Sequence, residues 1–334
     1  MLFRQGMIMG TQTTLARMED IATHFDVTPE TIRNWIKTRG FPGRKLGRQW
    51  RFDWDEVLLW EQNQPTGAQT NSYKDYTRAL EALDGNRNFR PEINRDALRL
   101  INGDCLVSMD SIETDSVDLL LTDPPYNLGL FMQNRATNLK RMRENYFGAA
   151  GWDNLAPADW EESMSAFFEA ASRVVRKGGA VIVFMAVIKL ETLIRLAQEH
   201  GFYYKTTGAW HKLNPMPRNM NLHFVNSMES WVYFINNAKT GTFNNNGKVM
   251  HDFFETSVAP QGEKRFGKHP TQKPVELMNY FVQTLSNPGD TVLDPFMGSG
   301  SAGVAALNLK RNFIGIELSE EYFDIAAKRM GADA

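Results

Sequence analysis

Cys105 is the only cysteine in this chain of 334 residues. One thiol cannot form an internal disulfide framework or a cysteine zinc cluster. Long hydrophobic runs are missing too, since no apolar stretch approaches the about 20 residues that a membrane-spanning helix needs. The opening Met1-Leu2-Phe3-Arg4-Gln5-Gly6 lacks the apolar core of a signal peptide, so cytoplasm is the expected location. Internal repeats and low-complexity tracts are absent, which sets solenoids aside. An excess of charge of one sign is lacking as well. The net charge of -2 does not by itself announce a nucleic-acid partner. What is present is ordinary for a globular protein with an ample core: 42% hydrophobic and 23% charged residues. The length exceeds one domain and suggests a large domain with a small one.

The distribution of charge says more than its total. From Thr31 to Phe52 the charged residues are Arg33, Lys37, Arg39, Arg44, Lys45, Arg48 and Arg51, with no acid among them. A local patch of this kind sets a phosphate-binding field. It lies in a unit expected over 13–62. Leu15, Met18, Ile21, Ala22 and Phe25 fall at helical spacing. Thr28 then caps a second helix that has Pro29 at its first position and stops at Arg39-Gly40. Lys45-Leu46-Gly47-Arg48-Gln49-Trp50-Arg51-Phe52 suits a hairpin, and Asp53 caps a closing helix over 54–60. Met18-Glu19-Asp20-Ile21-Ala22, the stretch from Val27 to Trp35 and Gly47-Arg48-Gln49-Trp50-Arg51-Phe52 resemble winged helix-turn-helix domains of the MerR and excisionase type. That resemblance implies that Thr31, Arg33, Asn34 and Lys37 face a DNA groove while Arg48 and Arg51 touch phosphates. A small helical domain that binds protein is the alternative. Residues 63–95 read as a polar linker with a helix over 72–83.

From Leu98 onward, short apolar runs alternate with helical patterns, the signature of a mostly parallel sheet covered on both faces. Strands are expected over 98–101, 117–122, 180–185, 291–294 and 313–317. Helices are expected over 160–176, 187–200, 274–286, 302–309 and 320–330. Residues 201–212 and 227–235 suit an antiparallel pair on one edge. The segments 131–153 and 236–268 read as long loops, which in a compact domain are commonly functional.

Two strand ends carry chemistry. Val117-Asp118-Leu119-Leu120-Leu121-Thr122 runs into Asp123-Pro124-Pro125-Tyr126. Two prolines stiffen the loop. A carboxylate and an aromatic ring at such a point suit a flat base with an exocyclic amino group. A plain turn is the alternative reading of those four residues alone. Near the other end, Thr291-Val292-Leu293-Asp294 opens into Pro295-Phe296-Met297-Gly298-Ser299-Gly300, and the next strand closes on Glu317. Glycines permit close approach of a ligand to the backbone. An acid about 20 residues later can grip two ribose hydroxyls. Taken as Gly298-Ser299-Gly300 alone, the loop falls short of the fuller pattern of pyrophosphate sites. The expected ligand is therefore a nucleoside without pyrophosphate, such as S-adenosylmethionine.

With Asn102-Gly103-Asp104-Cys105-Leu106 and His269-Pro270-Thr271-Gln272-Lys273-Pro274, these motifs resemble the β-class of amino-methylating DNA methyltransferases over 96–331. The catalytic tetrapeptide comes first and the glycine loop last, the permuted order of that class. The resemblance implies a doubly wound, Rossmann-like α/β fold: a mostly parallel seven-stranded sheet with one antiparallel edge strand, behind the small winged helix-turn-helix domain. It implies Asp123, Pro124, Pro125 and Tyr126 as catalytic residues and S-adenosylmethionine as cofactor, with no metal. Cofactor contacts would come from Asp104, Cys105, Asp123, Thr271, Gln272, Lys273, Asp294, Phe296, Gly298, Ser299, Gly300 and Glu317. Lys273 would pair with the cofactor's carboxylate. Duplex DNA is the implied partner, touched also by Arg135, Lys140, Arg141, Arg143, Lys212 and Arg218, with 236–268 as a target-recognition insert. A restriction endonuclease partner and a homodimer also follow from the resemblance. An Asp at the first motif position favours adenine N6. Cytosine N4 methylation, a regulator with an inactive methyltransferase domain, and an RNA or protein methyltransferase stay open at this stage.

Overall fold

The computed structural model describes residues 15–60 apart from 26, 39–40, 48, 55 and 58–59, then 92–128, 155–216 and 224–332. The chain divides into two compact units, 1–71 and 72–334.

In the first unit, helix α1 (Met18–His24) and helix α2 (Pro29–Thr38) precede a hairpin of β1 (Arg44–Leu46) and β2 (Gln49–Arg51). The Asp20 carboxylate accepts from the Arg17 amide at 2.8 Å and so closes the start of α1. Pro29 opens α2 as expected, and the Thr28 hydroxyl accepts from the Thr31 amide at 3.3 Å. Ile21, Ile32, Phe52 and Val57 are fully buried. Phe25, Trp35, Phe41 and Trp60 close over them in edge-to-face and stacked pairs. Residues 54, 56, 57 and 60 are helical, where the closing helix was expected. The helix expected over 72–83 lies outside the described residues.

The second unit is an α/β sandwich. Among the described residues, nine strands form one sheet in the order β3-β4-β11-β10-β5-β6-β8-β7-β9. They are β3 (Ile93–Arg95), β4 (Leu98–Asn102), β5 (Val117–Thr122), β6 (Val175–Met185), β7 (Phe202–Lys212), β8 (Met228–Asn236), β9 (Phe253–Thr256), β10 (Thr291–Asp294) and β11 (Asn312–Glu317). Strands β4, β11, β10, β5 and β6 run parallel. The expected seven-stranded sheet is there, and one short strand extends it at each end. Of these, β3 is the antiparallel edge. The pair β7–β8 is antiparallel as expected but lies one strand in, because Phe253–Thr256 from the 236–268 segment takes the outermost place. Strand β8 also runs antiparallel to β6.

Alternation along each strand sends side chains to two faces. Leu119, Leu121, Ile182, Phe184, Trp231 and Tyr233 meet helices α6 (Val275–Leu285), α7 (Ser301–Asn308) and α8 (Glu320–Arg329). Leu120, Val181, Val183, Val232 and Phe234 meet α3 (Cys105–Met109), α4 (Pro157–Val174) and α5 (Leu190–Glu199). Among the described residues, no helix is long and apolar enough to cross a membrane.

The order of the strands locates the site. From β10 the chain passes through α7 to β11 on one side, and from β5 through α4 to β6 on the other. Winding therefore reverses between β10 and β5. In an open α/β sheet that reversal leaves a crevice beyond the carboxyl ends of the two strands.

Candidate active site

Both motifs open onto that crevice. Thr122 ends β5 and Asp294 ends the neighbouring β10, and the Thr122 hydroxyl donates to Asp294 Oδ1 at 2.8 Å. The Phe296 amide donates to the same oxygen at 3.2 Å, so one buried carboxylate ties the two loops together. Burial pushes the Asp294 carboxyl up to about 7.

At the β5 end, Pro124 is buried, while Asp123, Pro125 and Tyr126 are half-buried. The Tyr126 hydroxyl donates to Asp123 Oδ1 at 2.7 Å. The Lys273 ammonium donates to Asp123 Oδ2 and also lies 3.1 Å from Glu229 Oε2. Lys212 Nζ holds the other oxygen of Glu229 at 2.5 Å. The result is an alternating row of charges, Lys212, Glu229, Lys273 and Asp123, ending on the Tyr126 hydroxyl. Burial raises the Asp123 carboxyl above its ordinary range; Lys273 opposes that rise and Glu229 adds to it. Burial works on Glu229 in the same sense, but two cations outweigh it and hold that carboxyl down at about 2. The two carboxyls share Lys273 yet move in opposite directions, because only Glu229 has a second cation. Burial pulls the Lys273 ammonium down, and the two carboxylates more than reverse that, so it stays charged.

At the β10 end, the loop is shaped for close approach. Gly298 and Gly300 have φ of 51° and 76°, the left-handed region that favours glycine. A Cβ on Gly298 would come within 3.0 Å of His269 Nε2. Glu317, at the end of β11, accepts from the Gly298 amide at 2.9 Å and the Ser319 amide at 2.8 Å. Its backbone carbonyl accepts from the Gly103 amide at 3.0 Å and Asn102 Nδ2 at 2.7 Å. Those bonds join the 102–104 turn to Glu317. Asp104 caps α3, accepting from the Leu106 amide at 2.9 Å, and Cys105 is buried beside it. A ribose-sized ligand with hydroxyls to donate fits this set, since the half-buried Glu317 carboxylate is the acceptor such hydroxyls need.

Several expectations need correction. Lys273 has its ammonium taken by two carboxylates of the chain itself, so the pairing with a cofactor carboxylate is not what its position offers. Thr271 is exposed, and Gln272 is buried with its amide donating to the Glu263 carbonyl at 3.1 Å. Lys212 is paired with Glu229 rather than open to a phosphate. Phe296 is half-buried with the Phe167 ring centre 5.9 Å away, which does not conflict with its expected place beside the cofactor. Gly303 completes the Gly-x-Gly-x-x-Gly spacing with Gly298 and Gly300, so the argument against a pyrophosphate from the short loop fails. A Cβ on Gly303 would meet Met330 Sδ at 2.3 Å and Phe313 at 2.6 Å, so its glycine serves helix-to-strand packing.

In the first unit, Arg33 and Lys37 are exposed one helical turn apart on α2, and Thr31 is half-buried at its start. Arg51 folds back on its own strand, donating to the Trp50 carbonyl at 2.9 Å. The Asn34 side chain, Arg48, Arg135, Lys140, Arg141, Arg143 and Arg218 lie outside the described residues.

Two contributors were not foreseen. Glu229 is the second residue of β8, and because β8 runs against β6 its first residues lie where the parallel strands end: Ser230 pairs with Met185, the last residue of β6. The available signal was a lone acid near the start of a strand whose next seven residues are buried. Arg329, in the last turn of α8, donates to the Ser299 carbonyl at 2.6 Å and the Ser301 hydroxyl at 3.0 Å, clamping the glycine loop.

A family model described as DNA methylase matches residues 117–328, and one described as a helix-turn-helix domain matches 17–65. The chain is 29% identical over 254 residues to the Type II methyltransferase M2.DpnII of Streptococcus pneumoniae, covering 73% of this chain and 93% of that protein. It is also 29% identical over 247 residues to the Type II methyltransferase M.HinfI of Haemophilus influenzae, covering 69% of this chain and 67% of that one. Among solved structures, the M1.HpyAVI-SAM complex superposes with a TM-score of 0.51 at 26% identity, over 70% of this chain and 99% of the other. The cytosine-N4-specific PvuII DNA methyltransferase reaches 0.58 at 19% identity over 72% and 90%, a likeness of fold alone. Because the matched stretch covers more than half of the chain and runs from the first residue of the strand that delivers Asp123 through the glycine loop and Glu317 into α8, the chain belongs to the DNA methylase family.

Proposed function

We propose that this DNA methylase transfers a methyl group from S-adenosylmethionine to N6 of an adenine flipped out of duplex DNA. The observation that carries the reading is the 2.8 Å bond between Thr122 and Asp294, which sets the tetrapeptide and the glycine loop side by side. When bound, S-adenosylmethionine supplies an electrophilic methyl group. The chain's own residues hold the base. The Asp123 carboxylate and the Pro124 carbonyl accept the two amino hydrogens, which favours a pyramidal nitrogen with its lone pair turned outward. Tyr126 offers a stacking face, worth about 1–3 kcal/mol per base. That offsets part of the few kcal/mol spent in unstacking the base. Positioning carries much of the remaining rate.

Adenine is favoured over cytosine by the Asp at the head of the tetrapeptide. The test is direct: incubate unmethylated DNA with the protein and S-adenosylmethionine, digest it to nucleosides and identify the product by mass spectrometry. N6-methyldeoxyadenosine is expected. N4-methyldeoxycytidine would move the assignment to the other base, and no methylated nucleoside beside intact cofactor binding would favour a regulator.

In this reading Glu317 grips the ribose. Glu317→Gln weakens cofactor binding about 10- to 100-fold, the worth of charge-assisted hydrogen bonds. Titration calorimetry reads it, and an unchanged dissociation constant removes Glu317 from the pocket. In the first unit, the exposed Arg33 and Lys37 would face the DNA groove. A cytoplasmic location, a cognate restriction endonuclease and a homodimer complete the proposal; the Type II designation of both relatives supports the endonuclease.

A further inference from the structure

Both oxygens of the Asp123 carboxylate are taken, one by Tyr126 and one by Lys273. A carboxylate oxygen can accept a second hydrogen bond, but one already held by an ammonium is the weaker acceptor, so an incoming amino group gains most at an oxygen that its cation has released. Lys273 is the partner whose release serves this if Tyr126 is to stay beside the base. The ammonium of a lysine only 6% exposed cannot simply be released, because a buried charge without a counter-ion is costly. Glu229 removes that difficulty, since its Oε2 already lies 3.1 Å from the same nitrogen.

We propose that Glu229 is a positioning residue that takes over Lys273 as the base enters, freeing an oxygen of Asp123 for the amino group. No bond is made or broken and no proton moves; the ammonium keeps its charge and changes its partner. The groups facing Glu229 set the balance. Lys212 holds one of its oxygens and Lys273 lies against the other, the Tyr126 hydroxyl also interacts with this carboxylate, and the Asp123 carboxyl lies beyond Lys273. Lys212 keeps the row neutral, two cations against two carboxylates. This inference rests on the catalytic reading of Asp123 given above.

The experiment compares Glu229→Gln, Glu229→Asp and Lys212→Met with the full-length wild-type protein. The readouts are kcat against pH and a carbon-13 titration of the Asp123 carboxyl in the cofactor-free protein. In Glu229→Gln, Lys273 stays on Asp123 and kcat falls about 10- to 100-fold, the cost of a charged partner lost from a buried site. Cofactor affinity stays within about threefold, because Glu229 lies outside the ribose pocket. Loss of a nearby negative charge lets Asp123 ionise more readily, so its titration and the acid limb of kcat move to lower pH. Lys212→Met removes a cation and moves both to higher pH. Glu229→Asp keeps the charge, recovers part of the rate and leaves the limb near its wild-type position.

Wild-type rates with an unmoved limb in Glu229→Gln overturn the proposal. So does an equal loss in Glu229→Gln and Glu229→Asp with no shift of either titration, which marks a role in packing alone. Asp123→Asn is the control for the underlying reading: if it keeps wild-type rates, the catalytic assignment itself falls. If Asp123→Asn is inactive while Glu229→Gln behaves as wild type, only the present inference falls. Should Glu229→Gln not fold, opposite movement in Lys212→Met still decides it.

Discussion

Asp123→Asn lowers the rate of methyl transfer by about 10²- to 10³-fold, the usual cost of one preorganised polar group aimed at the reacting atom. The two side chains are nearly the same size, so packing at the end of β5 survives. What changes is hydrogen-bonding capacity. The carboxylate only accepts, whereas the amide carries one acceptor and one donor group. Around Asp123 stand the Tyr126 hydroxyl and the Lys273 ammonium, both donors, and the substrate amino group is a third. An amide can satisfy at most part of that set, and its NH₂ must face a donor. The loss therefore appears in kcat, while cofactor affinity measured by calorimetry stays within about threefold, because the ribose contacts sit on β11. Equal losses in both quantities would move Asp123 from the reacting centre into the cofactor pocket.

Lys273→Met should do more damage to the fold than any other single change at the site. Its ammonium lies between two carboxylates, and the row then loses one of its two cations. Breaking a buried ion pair by removing one partner costs about 3–5 kcal/mol. The protein answers by protonating a carboxyl, so the folded-state titration of Asp123, already raised by burial, moves further above its unfolded value. A carboxyl raised in this way is most destabilising at high pH, where the unfolded chain is free to ionise. The variant therefore loses most stability at and above neutral pH, and the deficit shrinks as pH falls through the raised titration. Thermal unfolding of wild type and Lys273→Met between pH 5 and 9 reads the difference. A deficit that does not change with pH would mean that Lys273 contributes by packing, not by charge.

How far the sequence could be read depended on whether a residue's role was local. Asp123 and Glu317 were legible because each closes a short apolar run, and a strand that ends in a carboxylate is visible in one dimension. The strands Val117–Thr122 and Thr291–Asp294 fall where the pattern put them, since burial on both faces leaves little doubt about their ends. Lys273 was recognised by its motif, but its counter-ions were not. A sequence records a charge and not what stands opposite it, and here the opposite charges come from the loop after β5 and from β8. Glu229 was missed for the same reason: only the reversal of β8 against β6 brings it to the crevice. The segment 236–268 looked like a free insert because Phe253–Thr256 is short, and pairing with β7 is a property of the assembled sheet. The third glycine, Gly303, is legible in the spacing of the loop itself, whereas its packing against Met330 and Phe313 is a property of the folded chain.

Strands β4 and β5 follow one another in the chain with only residues 103–116 between them, yet the finished sheet seats β11 and β10 in the gap. A nascent chain leaving the ribosome thus carries two unfinished sheet margins that cannot zip together in their native places. They wait until residues 291–317 arrive to fill the space. Until they do, the crevice has only one wall: Asp123 and Tyr126 stand at the end of β5 with neither the glycine loop nor Glu317 beside them.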